Sequence, residues 1–269
     1  WFKRRRLPTF TIAVRQPHYV QMIVQSAIFI YWGWYWPEVY SEIPLILSQV
    51  AFAYCIEFLV CWHRHGEWRI GFGPWPIVLS TNLFIWFRDD YFSAQYLLIA
   101  LAYFSREWLR WHRDGRKVHI FNPSAFALCV VSLVLIIFEL PHITYGQEIS
   151  EALGRPEFAY TYIFAMGVVV QFFFRVTLVT FAAAATSWVI GTVYFSATGG
   201  YMYVDTTIPI AVFLGMNLLV TDPASSPSRP GGKILFGVLY GTAIFVMYTI
   251  LRDAGRPAVG DLPEFNIAW

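Results

Sequence analysis

Nine apolar runs follow one another along this chain, and almost all of the charge lies between them. They fall near residues 18–36, 43–62, 75–87, 92–109, 123–139, 158–174, 176–197, 206–220 and 234–251. A helix needs about 20 apolar residues to cross the hydrocarbon core of a bilayer, and most of these runs approach that length. Charged residues make up only 13% of the chain, about half the usual share of a soluble domain. The sequence therefore predicts an all-α, polytopic integral membrane protein with about eight to nine membrane segments.

The distribution of Lys and Arg predicts the orientation of these segments. If the N-terminus is cytoplasmic and every run crosses, all of the 19 Lys and Arg fall on the cytoplasmic side except Arg88, Arg155, Arg252 and Arg256. Cytoplasmic loops of membrane proteins carry such an excess of positive charge. We predict a multi-pass protein of a bacterial-type inner (cytoplasmic) membrane, with loop 106–117 cytoplasmic and loop 140–157 on the opposite side. Because the chain begins at Trp1 rather than Met, it could be a fragment of a longer protein.

Two of the runs, 75–87 and 206–220, are too short for a full crossing. A later apolar run in each half follows a dipeptide that predicts a helix start, Asn122-Pro123 in one case and Asp222-Pro223 in the other. Asn or Asp can cap a helix, and Pro at the next position loses no needed donor. This pattern predicts a single membrane domain, residues 1–269, built from two pseudo-repeats with short or broken helices. The first half covers about 18–139, the connecting loop 140–157 and the second half about 158–251.

Two motifs resemble a known family. Phe121-Asn122-Pro123-Ser124-Ala125 follows a basic loop, and the stretch from Phe213 to Pro227, which contains Thr-Asp-Pro-x-x-Ser-Pro, precedes Gly232-Lys233. Both are similar to the NqrB/RnfD family, the membrane subunits of sodium-translocating NADH:quinone oxidoreductase and of the Rnf electron-transport complex. The resemblance spans roughly residues 70–255. It implies a helical fold with repeated halves and a place beside other membrane subunits in a redox complex. It also implies cofactor binding by the following residues: Asn122, Thr221, Asp222 and Ser225.

The sequence departs from the family pattern at the site of covalent flavin attachment. Family members that bind FMN covalently use the Thr of a Ser-Gly-Ala-Thr motif between the halves, and the loop from Leu140 to Glu157 has no such motif. Ser196-Ala197-Thr198-Gly199 falls elsewhere in the order, and we interpret it as chance. We therefore expect no covalent flavin, and non-covalent flavin or quinone as the candidate ligands. Whether the chain takes part in an enzyme is left open; if it does, it is a subunit of an oxidoreductase rather than a self-contained enzyme.

Other functions remain open from the residues alone. The chain could be a structural subunit that keeps the fold without the cofactor, or a channel or transporter, because repeated halves with broken helices also build solute pathways. Glu57 is a carboxylate inside an apolar run, which makes it a functional candidate. The six His lie at the ends of runs or in loops, and no metal-ligand spacing appears, so no metal site is predicted. The basic stretch from Arg106 to Lys117 indicates orientation or anionic lipid as a partner rather than nucleic acid.

Overall fold

The computed structural model describes residues 9–113, 115–154, 156, 158–203 and 208–253, and it is mostly helical. One helix lies in each of the nine predicted apolar runs. Several residues used in the sequence argument lie outside the described residues: Lys3 to Arg6, Arg155, Glu157, Arg256 and residues 206–207. The chain divides into two compact units, one ending at Leu133 and one beginning at Val134. The predicted first half ended a few residues later, near 139, and the predicted second half began after the connecting loop, near 158.

Among its described residues, the first unit contains six α-helices, two of which have fewer than ten residues. Their bounds are α1 Gln16–Tyr35, α2 Glu38–Ser41, α3 Ile43–His65, α4 Pro74–Asn82, α5 Ser93–Trp108 and α6 Pro123–Ile137, the last of which runs across the unit boundary. Pro stands at the first or second position of α1, α3 and α4, where its missing N–H has no helical partner to lose. Gly66 ends α3 in the left-handed conformation (φ 67°), which glycine adopts without strain.

Four short strands correct the prediction of an all-α fold. They are β1 Thr9–Ile12, β2 Glu67–Ile70, β3 Arg110–Arg113 and β4 Arg116–His119. Strands β1 and β2 pair in parallel, and β3 and β4 form an antiparallel hairpin. The segment expected to be a cytoplasmic loop, 106–117, is therefore the end of α5 followed by most of this hairpin. Strands this short carry no long alternating pattern, so they were not evident among the apolar runs.

The second unit consists of four apolar helices and one amphipathic helix in the predicted connecting loop. Their bounds are α7 Gly146–Leu153, α8 Ala159–Phe174, α9 Thr177–Thr198, α10 Ile210–Leu218 and α11 Pro230–Asp253. Small residues let α9 and α11 approach closely. A side chain at Gly237 would collide with the Val179 carbonyl, and one at Gly241 would lie 2.9 Å from the Ala183 carbonyl. Close contact through glycines four residues apart is a common packing mode of membrane helices.

Among the described residues, three helices are long and apolar enough to cross a membrane: Ile43–His65, Thr177–Thr198 and Pro230–Arg252. In the last of these, only 11% of the most apolar window is buried by the rest of the protein, so its apolar side chains face outward. Helices α4 and α10 have 9 residues each and extend only about 13 Å. They are therefore too short to cross the hydrocarbon core, as their apolar runs had indicated.

Candidate functional site: buried amides at two short helices

The short helix α4 ends at a buried asparagine that joins three helices. The Asn82 side-chain amide donates to Gln49 Oε1 of α3 at 2.6 Å and to the Val78 carbonyl at 2.8 Å. Its oxygen accepts from Gln95 Nε2 of α5 at 3.3 Å. All three amide side chains are fully buried. Because a buried amide needs hydrogen-bond partners, this network fixes where α4 stops between α3 and α5.

The same network has hydrogen-bonding capacity left over. Gln49 Nε2, a donor, and Gln95 Oε1, an acceptor, are buried and have no hydrogen-bond partner among the described residues. Gln25 Oε1 on α1 is also buried and lacks a partner there. A buried polar group without a partner costs about 1–3 kcal/mol. These atoms are therefore suited to bind water or a ligand that offers both a donor and an acceptor.

Trp86, which adjoins this network, contacts two further indole rings. The Ile85 carbonyl accepts from Gln95 Nε2 at 3.0 Å, and Trp86 is the next residue. The Trp86 ring stacks on Trp36 with centroids 5.5 Å apart and an interplanar angle of 15°, and it lies 5.0 Å from the Trp32 ring. The indole nitrogens of Trp32 and Trp86 are buried and have no partner in the described part of the chain. Aromatic surface and unpaired polar atoms thus occur next to one another in the first unit.

The second unit repeats the amide arrangement at the end of α10. The Asn217 side-chain amide donates to the Phe213 carbonyl at 2.8 Å, and its oxygen accepts from Gln171 Nε2 of α8 at 2.9 Å. Gly167, one turn earlier on α8, provides the space, because a side chain there would collide with Asn217. The Thr180 hydroxyl of α9 donates to the Met216 carbonyl at 3.1 Å. Both ends of the Asn217 amide are therefore occupied within this unit.

The first sequence-predicted site residue, Asn122, caps α6. Its side-chain oxygen accepts from the backbone N–H groups of Ser124 at 3.0 Å and Ala125 at 3.4 Å, which otherwise lack helical acceptors. The motif also reaches α4, because the Ser80 hydroxyl donates to the buried Ser124 hydroxyl at 2.5 Å. The Asn-Pro-Ser sequence thus joins the start of α6 to the short helix that ends at Asn82.

The three predicted site residues in the second unit lie in a turn. The Thr221 hydroxyl donates to the Asn217 carbonyl at 3.0 Å, so this residue adjoins the amide pair. Asp222 accepts from the Ser225 backbone N–H at 2.9 Å, and the Ser225 hydroxyl donates to the Asp222 carbonyl at 3.4 Å. The expectation that Asp222 begins a long helix is wrong: it caps a single turn, and α11 begins at Pro230. Pro230, the third Pro of this stretch, rather than Pro223, marks the helix start.

Glu57, singled out as a lone carboxylate, has a close partner. Arg106 Nη2 donates to both carboxylate oxygens, at 2.6 and 2.5 Å, although sequence analysis had assigned Arg106 to a loop. The neighbouring Glu107 accepts from Arg110 at 3.1 Å and lies 3.8 Å from Arg64. Because each of these buried carboxylates faces a guanidinium, the cluster joins α3 to α5. The presence of Glu57 in an apolar run is therefore explained by this structural role.

Acidic groups also meet at the opposite end of α3, outside the long helices. Burial, followed by the nearby negative charge of Asp89, raises the pKa of Glu42 above its ordinary value. Within the described ranges, no group of three or more His, Cys, Asp or Glu side chains is arranged to hold a metal ion.

No family model, curated protein or solved structure matches this chain. The amides Gln49, Asn82, Gln95 and Gln171 were not predicted as site residues, and Asn217 was noted only as part of a motif. The signal was present in the sequence, because an amide inside an apolar run is unfavourable in lipid unless it has a partner or a function.

Proposed function

We propose that this protein is a multi-pass subunit of a membrane redox complex resembling the NqrB/RnfD family, with eight to nine membrane segments arranged as two pseudo-repeats. We further propose that it lies in a bacterial-type inner membrane, with its N-terminus in the cytoplasm. The large apolar surface exposed by α9 and α11 supports embedding in lipid, since soluble monomers rarely expose such surfaces. The two nine-residue helices each have a glutamine-bonded asparagine at the last or next-to-last position, which supports an internal repeat with discontinuous helices.

The observation that carries the redox proposal is the unpaired amide capacity beside the indole rings of the first unit. A flavin ring or a quinone is planar and carries carbonyl groups, and flavin also has ring N–H and nitrogen acceptors. Gln49 Nε2 offers a donor, Gln95 Oε1 an acceptor and Trp86 an indole N–H. Aromatic side chains favour stacked contact with such rings. We therefore assign non-covalent flavin or quinone to this unit.

A structural role has its own support in the second unit. Asn217, Thr221 and Asp222 all have hydrogen-bond partners within their own unit. This arrangement favours a contribution to folding, and it is compatible with a subunit that has kept the fold without a cofactor. The predicted contact of these residues, and of Asn122 and Ser225, with a cofactor stays a prediction.

Binding of FMN and of a soluble ubiquinone analogue to the detergent-purified full chain tests the proposal. Absorption spectra and flavin released on denaturation report FMN, and equilibrium dialysis reports the quinone. We expect one of the two ligands to bind, Gln95→Leu to weaken binding at least tenfold, and Gln171→Leu to leave it within twofold. The Gln171 variant is a matched control, because it removes the equivalent amide in the other unit. A parent protein that binds neither ligand refutes the redox proposal and leaves the structural role.

A further inference from the structure

The ribbon formed by β1 and β2 has its apolar and polar faces reversed relative to a soluble protein. On one face, Phe10 and Ile12 are 62% and 78% exposed, and their partners Trp68 and Ile70 are 38% and 37% exposed. The opposite face carries Glu67 and is less exposed. In water, apolar side chains of a strand turn inward and charged ones outward. The ribbon is therefore built for an apolar surrounding on its outer face.

The polar face of the ribbon is satisfied internally. Glu67 accepts from the Thr11 hydroxyl at 2.9 Å and from Arg69 Nη2 at 2.5 Å. The Thr11 bond links β1 to β2, the Arg69 bond lies within β2, and the face with the aromatic rings is left uncovered. Phe10 and Trp68 pack edge to face at 5.9 Å, so the exposed apolar surface is continuous across both strands.

The ribbon lies alongside the last turns of the membrane-length helix α3. Gly66 reverses the chain at the end of α3, and the Tyr54 hydroxyl donates to the Gly71 carbonyl at 2.7 Å. The twelve residues of α3 from Tyr54 to His65 span roughly 16 Å along the helix axis, and the stretch from Gly66 to Gly71 covers about the same length as a strand. Strand β2 therefore runs back along α3 at the level of its last three turns.

The β3–β4 hairpin begins at the same end of the helix pair. Arg64, near the end of α3, donates to the Glu107 carbonyl at 2.8 Å and lies over the Trp108 ring at 4.9 Å, next to the end of α5. In the hairpin, His112 is directly opposite Lys117, and both are exposed. His112 and Lys117 therefore present N–H donors, one of them cationic, on one exposed face, an arrangement that attracts the phosphates of anionic lipids.

We propose that the two β-ribbons of the first unit form an interfacial anchor, in which the apolar face of β1–β2 lies against lipid chains and the His112–Lys117 face binds the phosphates of anionic lipids. Three observations favour lipid over a protein partner. The outer face of β1–β2 is apolar where that of a soluble ribbon would be polar. The ribbon adjoins the membrane-length helix α3, and cationic side chains lie at the same end of that helix. The headgroup layer is favoured over the hydrocarbon core, because free ribbon edges need hydrogen-bond partners that hydrocarbon does not supply. Trp and basic residues are also typical of this layer.

Depth-dependent quenching tests the apolar face. The full chain, with Cys55, Cys61 and Cys129 replaced by Ser, is given a single cysteine by Ile12→Cys or Thr9→Cys, labelled with bimane and reconstituted into phosphatidylcholine–phosphatidylglycerol vesicles. Residues 9 and 12 lie on one strand and point to opposite faces, so the Thr9 variant is the matched control. We expect lipid with a doxyl group at carbon 5 to quench the Ile12 label at least twice as strongly as the Thr9 label, and more strongly than lipid with the group at carbon 12.

Three results would overturn this assignment. Equal quenching of both labels by lipid would remove the facial argument. Quenching of the Ile12 label by aqueous iodide but not by lipid would place the ribbon in water. Protection of that label from both quenchers would show that protein covers the face.

The basic face has its own test. Adding dioleoyl phosphatidylglycerol to the detergent-solubilised chain is expected to raise the melting temperature more than adding phosphatidylcholine does. Lys117→Gln should reduce this difference at least by half, and Lys117→Arg should restore it. An unchanged preference in Lys117→Gln would show that the hairpin does not bind anionic lipid.

Discussion

Removing one member of the buried Glu57–Arg106 pair should destabilise the protein more than removing both. Arg106 donates to both oxygens of Glu57, which is only 5% exposed. In Arg106→Leu, Glu57 loses its guanidinium and keeps a weak contact from the Cys61 thiol at 3.9 Å. Stranding one member of a buried pair typically costs about 3–5 kcal/mol, whereas an apolar replacement of both members is often neutral or stabilising.

The surroundings of the pair predict an order among the variants. In Glu57→Leu, Arg106 still has Glu107 at 3.3 Å, so this variant should lose less stability than Arg106→Leu. The double variant should be at least as stable as Glu57→Leu. A change of 1 kcal/mol shifts the melting temperature of a chain of this size by roughly 2–4 °C, so Arg106→Leu should melt roughly 6–20 °C below the parent.

Thermal unfolding in detergent at pH 7, followed by tryptophan fluorescence, measures this order. Leu97→Ala is a suitable control, because Leu97 is on the same helix as Arg106 and is 72% exposed. Coupling between the two positions is obtained from the double-mutant cycle. The reasoning is refuted if Arg106→Leu melts with the control, or if the losses of the two single variants simply add in the double variant.

Three further predictions concern a helix cap, a helix contact and an exposed ion pair. Asn122→Ala should lower the free energy of unfolding by about 1 kcal/mol, because two N–H groups of α6 lose their acceptor. Thermal melting measures this loss, with Glu151→Ala as the control. If the two variants melt at the same temperature, Asn122 does not act as a stabilising cap. Gly237→Leu should lower stability by at least about 1–3 kcal/mol through the collision with α9, whereas Val238→Leu on the same helix should melt like the parent. The hydrogen bond from Arg69, followed by that from Thr11, lowers the pKa of Glu67 below its ordinary 4.5. The stabilisation from Glu67 should therefore be complete above that value and lost as the pH falls through the lowered pKa, so that the melting temperatures of the parent and Glu67→Gln converge in acid; a constant difference would contradict this.

Only part of the candidate site could be predicted from the sequence. Asn122 was recognised as a cap because capping depends on a residue and the next three positions along the chain. Asp222 was misplaced, because Pro227 and Pro230 follow Pro223 and local chemistry does not rank the three as helix starts. The pairs Gln49–Asn82 and Gln171–Asn217 join residues 33 and 46 positions apart. Such partners are chosen by helix packing, which no local pattern encodes.

The sequence by itself determined where the helices lie and that two of them are short, because apolar run length and Pro positions act locally. Only the tertiary structure decided that Arg106 belongs to a helix and pairs with Glu57, since the charge of a residue does not reveal whether it faces water or a buried carboxylate. The tertiary structure also decided that the β1–β2 ribbon beside α3 exposes its apolar face. A four-residue strand has too few side chains to specify its own partner, so its pairing and exposed face depend on the helix that supports it.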